Sequence, residues 1–375
     1  MTTVAVLVDK LIRGGGESLL LDIISRLNDE IDFEIWCLGR IDENVKADFC
    51  EHGVNPERVR PTPYSSREKY ALKPLRPVIQ FLRQKDVEIL HGYSLYCNFI
   101  SRISTSIVYD VKTVSQHHGV KDDLTLSKAT NILTNRLSDC TICVSKAVSE
   151  SVYPISTPLG KLVTGENIRI IHNPIDFQFL QESNQQSSEA LQKHGLADRD
   201  QLLVSVGRLT ESKDHPSTIQ AIANLEDTIP HLVIIGGGKL KQDLEQQIQN
   251  LGVEDRVTLL GQVSRRDCTA IVSEATIFIS SSIREGFGIA LAEAMALGKP
   301  IIASDIPAYR EVGNKSSIEY FSPQDPEDLA NKIKMLLSSP QKMEQQANQA
   351  RELAERYRIE EITEEYREVY LSLTQ

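Results

Sequence analysis

The sequence predicts an α/β protein of two domains, each a parallel sheet wrapped by helices. Three observations predict it. Short β-branched apolar runs alternate with helical stretches from Val4 to Ile171, and the alternation starts afresh at Leu202. A polar run from Gln181 to Glu189 separates the two series and reads as an interdomain linker. Within the second series, Thr276 to Ser304 spells out strand, loop, helix and strand without interruption. The 375 residues suit two domains of ordinary size. Two such series imply two Rossmann-like domains facing a cleft.

The first series opens with Val4 to Val8, a buried strand. Gly14-Gly15-Gly16-Glu17 follows, then an amphipathic helix from about Ser18 to Leu27. Strand, glycine-rich loop and helix form an opening in which backbone can approach a phosphate. The G-x-G-x-x-G spacing is absent, so a simple dinucleotide site is not supported. A flexible turn is the other reading of the three glycines.

Phe33 to Leu38 and Val87 to Leu90 read as strands. The segment between them is basic: Arg58 to Lys85 holds eight Lys and Arg against one acid, Glu68. Its second half sets Leu72, Leu75, Ile79 and Leu82 near helical spacing, although Pro74 and Pro77 disfavour a helix. Such a helix either packs on a sheet with a solvated basic face or lies on an anionic membrane.

Val111 to Ser115 is the next strand and runs into Gln116-His117-His118-Gly119. A histidine at the carboxyl end of a strand can act near neutral pH, or can be a hydrogen-bonded loop residue. No nucleophile elbow accompanies it. Thr141 to Val144 and Ile168 to Ile171 complete the first sheet, and His172-Asn173-Pro174-Ile175-Asp176 is a turn-rich exit.

In the second series, strands are expected at Leu202 to Val206, Leu232 to Ile235 and Val257 to Leu260. Gly236-Gly237-Gly238 precedes a helix near Leu240 to Gln249. After the first of these strands comes Gly207-Arg208-Leu209-Thr210-Glu211-Ser212-Lys213-Asp214-His215. Arg208 can grip phosphate oxygens in bidentate fashion, and Lys213 supplies a point charge. A leaving diphosphate gains negative charge as its bond to a sugar breaks, so fixed cations there favour the transition state. The alternative is a surface loop with solvated charges.

The stretch Thr276 to Ser304 carries two carboxylates, Glu285 in the loop and Glu293 on the helix. Gly298 suits a left-handed helix end and Pro300 stops continuation. A helix N-terminus favours an anion, and a carboxylate beside it can accept hydrogen bonds from hydroxyls. The pairing suits a ligand with both, such as a nucleotide sugar. Otherwise Glu285 compensates a helix dipole and Glu293 is a solvated face. Helices from about Pro326 to Leu373 end the pattern.

Composition narrows the classes. Hydrophobic content of 41% and charged content of 25% fit a soluble globular protein. A net charge of −11 argues against a general nucleic-acid binder. No run is long enough to span a bilayer, and Met1 to Lys10 lacks a basic start, so a cytoplasmic location is expected. The six cysteines are expected as reduced thiols. Cys140 and Cys143 form a CxxC, but on a strand they point to opposite faces. Asp198 and Asp200 form a DxD, read as a polar approach to the following strand.

V-G-R-L-T-E-S-K-D-H and S-S-I-R-E-G-F-G-I-A-L-A-E-A-M-A-L-G-K-P-I-I-A-S-D together resemble the C-terminal half of the GT4-type retaining glycosyltransferases of the GT-B fold. The E-x7-E pair is Glu285 and Glu293. G-G-G-E and I-I-H-N-P-I-D also resemble that family, so the likeness covers nearly the whole chain. Pro174 stands where the family often has Gly, and Lys239 where Pro is frequent, which leaves the hinge and base pocket open.

The resemblance implies an N-terminal acceptor-binding domain over 1–178 and a nucleotide-sugar-binding domain over 179–357. A final helix, 358–375, would cross back to the first domain. It implies that Arg208 and Lys213 hold the donor diphosphate, that Glu285 contacts the sugar hydroxyls and Glu293 the ribose. The backbone of Gly286, Phe287 and Gly288 would line the sugar–phosphate pocket. Gly15 and Gly16 would approach the phosphates, and His118, in preference to His117, would lie near the transferred sugar. The implied partners are a UDP-, GDP- or ADP-sugar donor and a sugar or lipid-linked glycan acceptor. No metal, cofactor or nucleic acid is implied, and membrane contact rests on the basic 58–85 segment. A nucleotide-sugar epimerase, a nicotinamide-dependent dehydrogenase and a non-catalytic binding module are the competing readings.

Overall fold

The computed structural model describes residues 1–12, 14–59, 72–120, 130, 132–153, 167–199, 201–225 and 230–374. The chain divides into two compact units: Met1–Pro174 with Ile359–Gln375, and Ile175–Arg358.

In the first unit, β1 (Thr2–Val8), β2 (Ile31–Cys37), β3 (Glu57–Arg58), β4 (Ile89–Gly92), β5 (Lys112–His117), β6 (Cys140–Cys143) and β7 (Ile168–Ile170) form one sheet. Among the described residues its order is β3-β2-β1-β4-β5-β6-β7, and its pairings are parallel. The central strand β1 is apolar and buried from Val4 to Val8 because helices cover both faces. Alternation along β1 sends Val4, Val6 and Val8 to a core with Ile23, Ile24 and Leu27. Ala5 and Leu7 go to the opposite core with Val78 and Leu82. Strand order reverses between β1 and β4, where a doubly wound sheet leaves its crevice.

The helix Ile359–Thr374 belongs to this first unit. Ile362, Tyr366, Val369 and Tyr370, spaced for one helix face, enter the core of Val4 and Phe33. Gln116 Nε2 donates to the Tyr366 hydroxyl at 2.6 Å, and the Tyr370 hydroxyl lies 2.9 Å from His91 Nδ1. The chain thus returns to its first sheet after building the second.

The second unit holds β8 (Leu202–Val206), β9 (His231–Ile235), β10 (Val257–Gly261), β11 (Ile277–Ser280), β12 (Ile301–Ser304) and β13 (Glu319–Phe321). The order is β10-β9-β8-β11-β12-β13, again parallel, with the reversal between β8 and β11. Leu203, Leu232, Ile234, Ile277, Ile279 and Ile302 pack against Ile219, Ile222, Leu244, Leu329 and Ile333.

Several expectations need correction. The polar run at 181–189 is not an extended linker. It lies in two helices of the second unit, Phe177–Asn184 and Ser187–Lys193, the first capped by the Asp176 carboxylate accepting from the Phe179 N–H at 2.9 Å. Pro77 does not prevent a helix, because Leu75–Gln84 begins just after Pro74 and the missing N–H falls among the first-turn groups that have no intrahelical partner. The buried face of that helix is Val78 and Leu82, whereas Leu72 precedes it and is 58% exposed. Arg60, Arg67, Glu68, Lys69 and Asp200 lie outside the described residues.

Cys140 and Cys143 are both buried, and all six cysteines are free thiols. Burial pushes the Cys140 thiol up to about 11 and the Cys143 thiol up to about 12. Among the described residues, no helix is long and apolar enough to cross a membrane.

Candidate functional site

β8 and β11 are neighbours, and both end at the same edge of the second sheet. The loop leaving β8 carries Arg208 and Lys213, and the loop leaving β11 carries Glu285. Backbone and serine hydrogen bonds stitch the two loops together. The Ile283 N–H donates to the Ser212 carbonyl at 3.0 Å, and Ser281 Oγ donates to the Lys213 carbonyl at 2.8 Å. Lys213 closes a short 3₁₀ turn, Glu211–Lys213, and the chain then swings through Asp214 in the left-handed region at φ 48°. Asp is among the few residues other than Gly that adopt this conformation at modest cost.

This geometry brings the Lys213 ammonium onto Glu285 Oε1. Ser282 Oγ donates to the same oxygen at 3.0 Å, and the Tyr309 hydroxyl donates to it at 3.3 Å. The Lys213 and Glu285 side chains are only 20% and 15% exposed, so water screens the pair less than it would at the surface. Arg208, by contrast, is exposed and has no ion pair among the described residues.

Glu285 is followed by buried Gly286 and by Phe287, whose ring is buried edge-on against Tyr357 at 5.0 Å. Gly288 adopts φ 99° and starts the helix Ile289–Ala296 without a side-chain cap. The first N–H groups of that helix therefore lack side-chain partners at the cap, an arrangement suited to an anion. Glu293 lies farther along the helix, its Oε1 3.5 Å from Arg265 Nη2, and Arg265 rests 4.4 Å over the Phe179 ring.

The glycines after β9 do more than permit a turn. A Cβ on Gly236 would lie 2.0 Å from the Gly207 carbonyl oxygen, and one on Gly238 would lie 2.3 Å from that of Leu209. These glycines let the β9 exit press backbone to backbone against the β8 exit, where the Leu209 N–H donates to the Gly237 carbonyl at 3.0 Å. Two residues past Lys213, His215 is 2% exposed, and burial, reinforced by the Lys213 charge, pushes its pKa down to about 4.

A separate cluster lies at the carboxyl edge of the first sheet. Gly15 and Gly16 open the helix Gly15–Leu27, which likewise has no side-chain cap. The Tyr93 hydroxyl, just past β4, donates to the Gly16 carbonyl at 3.3 Å, and the Tyr93 ring meets the His118 ring at 4.3 Å between centroids. Burial pushes the His118 pKa down to about 4, so the imidazole is neutral at neutral pH. His118 Nε2 is buried without a hydrogen-bond partner among the described residues. His117 is placed differently: it ends β5, and its Nε2 lies 2.7 Å from the Tyr153 hydroxyl and 3.3 Å from Asn98 Nδ2.

The residues named from the sequence thus fall into two groups. Arg208, Lys213, Glu285, Gly286, Phe287, Gly288 and Glu293 share one sheet edge. Gly15, Gly16 and His118 share the edge of the other unit. The sequence reading missed Ser282, Tyr309, Arg265 and Tyr93. Ser282 stands inside the quoted motif. Tyr309 gave no signal, because it lies on the next helix, Pro307–Val312, beyond the stretch that spelled out the pattern.

Comparison with known proteins agrees across the chain. The family Glycosyl transferases group 1 matches residues 186–353, and Glycosyltransferase Family 4 matches residues 13–179. An uncharacterised glycosyltransferase of Methanocaldococcus jannaschii is 26% identical over 337 residues, 85% of each chain. A GDP-mannose:cellobiosyl-diphosphopolyprenol alpha-mannosyltransferase of Xanthomonas campestris is 24% identical over 313 residues, covering 81% of this chain and 78% of the relative. Among solved structures, Anabaena HepE in complex with UDP and glucose matches with a TM-score of 0.83 at 20% identity, over 99% of this chain and 100% of that one. The chain belongs to the GT4-type glycosyltransferases of the GT-B fold.

Proposed function

We propose that the chain is a retaining, metal-independent glycosyltransferase that moves a sugar from a nucleotide-diphosphate donor to an acceptor hydroxyl, in glycan, glycolipid or polysaccharide biosynthesis. One observation carries the reading. At the strand-order reversal of the second sheet, a partly buried lysine and glutamate are held together beside an exposed arginine and an uncapped helix start. That set supplies cations for a diphosphate and a carboxylate for sugar hydroxyls at the crevice where doubly wound sheets bind ligands. The names of the relatives point the same way: one is a GDP-mannose-dependent mannosyltransferase, and HepE was solved with UDP and glucose.

In this reading Arg208, Lys213 and the Ile289–Ala296 helix start stabilise the departing diphosphate as its charge grows. The acceptor hydroxyl attacks on the face that the diphosphate leaves, and a departing phosphate oxygen takes its proton. The sugar–phosphate bond breaks as the new glycosidic bond forms on the same face, which retains the anomeric configuration. Glu285 orients the sugar through its hydroxyls, and Glu293 holds the ribose. Gly15 and Gly16 offer backbone to phosphate, and neutral His118 hydrogen-bonds the transferred sugar.

The reading extends to a cytoplasmic enzyme in peripheral contact with an anionic membrane through the basic 58–85 segment. Lys73, Arg76 and Arg83 are exposed on or beside the Leu75–Gln84 helix. Co-sedimentation with anionic but not neutral vesicles is expected, and equal recovery with both removes this extension.

The central test uses UDP-, GDP- and ADP-sugars with candidate acceptors and reads the product linkage by NMR. An α-linked donor should give an α-linked product, and a β-linked product overturns the retaining assignment. Conversion of the donor sugar without an acceptor would mark an epimerase instead.

A further inference from the structure

We propose that Tyr309 is a positioning residue for transfer, fixing both ends of the Glu285–Gly288 loop with one side chain. The inference rests on the assignment of Glu285 and the following backbone to the donor sugar and phosphate. It adds a residue outside the E-x7-E stretch.

Tyr309 is 1% exposed and sits on the short helix Pro307–Val312 that follows β12. Its backbone is held on two sides: the Gly313 N–H and the Tyr320 hydroxyl both donate to its carbonyl, at 3.0 and 2.9 Å. The ring is therefore aimed by the fold rather than by its own hydroxyl. That hydroxyl has one proton, and a carboxylate can only accept, so the proton goes to Glu285 Oε1 at 3.3 Å. Ser280 Oγ, at the end of β11, lies in close contact with the phenol oxygen and must donate to it. A relay runs from Ser280 to Tyr309 to Glu285, and Ser282 reaches the same carboxylate oxygen from the other side at 3.0 Å.

The ring does separate work. A Cβ on Gly288 would lie 2.6 Å from Tyr309 Cε1, so the aromatic edge occupies the space a side chain there would need. Gly288 is held at φ 99°, where glycine is at ease and other residues are not. Tyr309 thus sets the direction of the carboxylate through its oxygen and packs against the helix start through its carbons. Burial, with the Glu285 charge adding to it, raises the phenol well above its ordinary value, so the donor keeps its proton throughout the working range.

Tyr309→Phe separates the two contributions, because it removes the oxygen and keeps the ring. The wild-type chain and the variant are compared with UDP-glucose, GDP-mannose and ADP-glucose, using whichever of these the wild type turns over. The expected result is a kcat lower by roughly tenfold with KM little changed, and a thermal midpoint lowered because the buried Ser280 hydroxyl loses its acceptor. In a Glu285→Gln background the same substitution should add little further loss, since the two act through one oxygen. Ser280→Ala should lower kcat by a smaller factor. Unchanged kcat in Tyr309→Phe, or a full additional tenfold loss in the Glu285→Gln background, overturns the proposal. If the wild type transfers sugar from none of the three donors, these probes refute the underlying assignment and not the role of Tyr309 alone.

Discussion

Lys213 and Glu285, 72 residues apart in the sequence, meet side chain to side chain between two neighbouring strand ends. The lysine assigned to phosphate is therefore neutralised by the glutamate assigned to sugar. An incoming diphosphate must share or take the ammonium, and its own negative charge then lies near the carboxylate.

This competition makes the two single variants differ in kind. Glu285→Gln frees Lys213 and should tighten binding of bare nucleoside diphosphate by roughly threefold to tenfold, while transfer falls. Lys213→Ala should lower turnover by roughly 10²–10³-fold, as loss of a fixed transition-state charge does, with the fold retained. Calorimetric titration with UDP, GDP and ADP and single-turnover rates check both. Undiminished turnover in Lys213→Ala would remove the diphosphate assignment.

Gly16 offers a substitution with little steric cost of its own. A Cβ built there meets nothing within 4 Å, and the residue lies in the first turn of its helix. Gly16→Ala should leave the stability unchanged or raise it slightly, by about 0.5–1 kcal/mol at most, read from the thermal midpoint. If phosphate approaches this backbone, donor affinity falls by about tenfold all the same. A variant with wild-type affinity would take Gly16 out of the donor site.

Glu293 is paired with Arg265 at 3.5 Å, a weak partnership that a ribose could replace. Glu293→Gln should lose discrimination between UDP and 2′-deoxy-UDP, or the corresponding pair for the base that binds. A ratio of affinities that stays at the wild-type value would show that the ribose is read elsewhere.

Acid should weaken the fold through its buried histidines. His118 and His215 refuse a proton until about pH 4 and His91 until about pH 3, whereas an unfolded histidine takes one near pH 6.5. Between those values the unfolded chain binds more protons, so stability falls as pH drops below about 6.5 and this contribution is flat above it. Thermal midpoints of wild type and His91→Gln across pH 4–8 check this. Their difference should shift in favour of the variant as pH falls and stay constant above about pH 7. Because His118 is neutral near pH 7, kcat/KM should show no step at pH 6.5 that His118→Asn abolishes.

Much of this architecture was legible because parallel strands buried on both faces announce themselves. Val4 to Val8 and Ile301 to Ala303 have no polar alternation to confuse them. Arg208, Lys213 and Glu285 were legible because they sit in the connections directly after such strands, and Glu293 because it lies on the helix that follows one of them. What escaped was set by tertiary context. The polar residues of 181–189 form helices because they pack beside the Arg265–Ser273 helix, which no local pattern encodes. Two-residue β3 is defined only by its pairing with Trp36 and Cys37. Tyr309 looks like any core aromatic until the fold turns its hydroxyl toward Glu285.

The Ile359–Thr374 helix also has a bearing on biosynthesis. It supplies Tyr366 and Tyr370 to the first core, yet leaves the ribosome only after every residue of Ile175–Arg358. The second unit, being one uninterrupted segment, can close while the nascent first sheet still lacks one of its covering helices. The usual N-to-C sequence of domain folding is reversed for the final step, and the face of the first sheet at Phe33 and His91, which Tyr370 covers, is completed last.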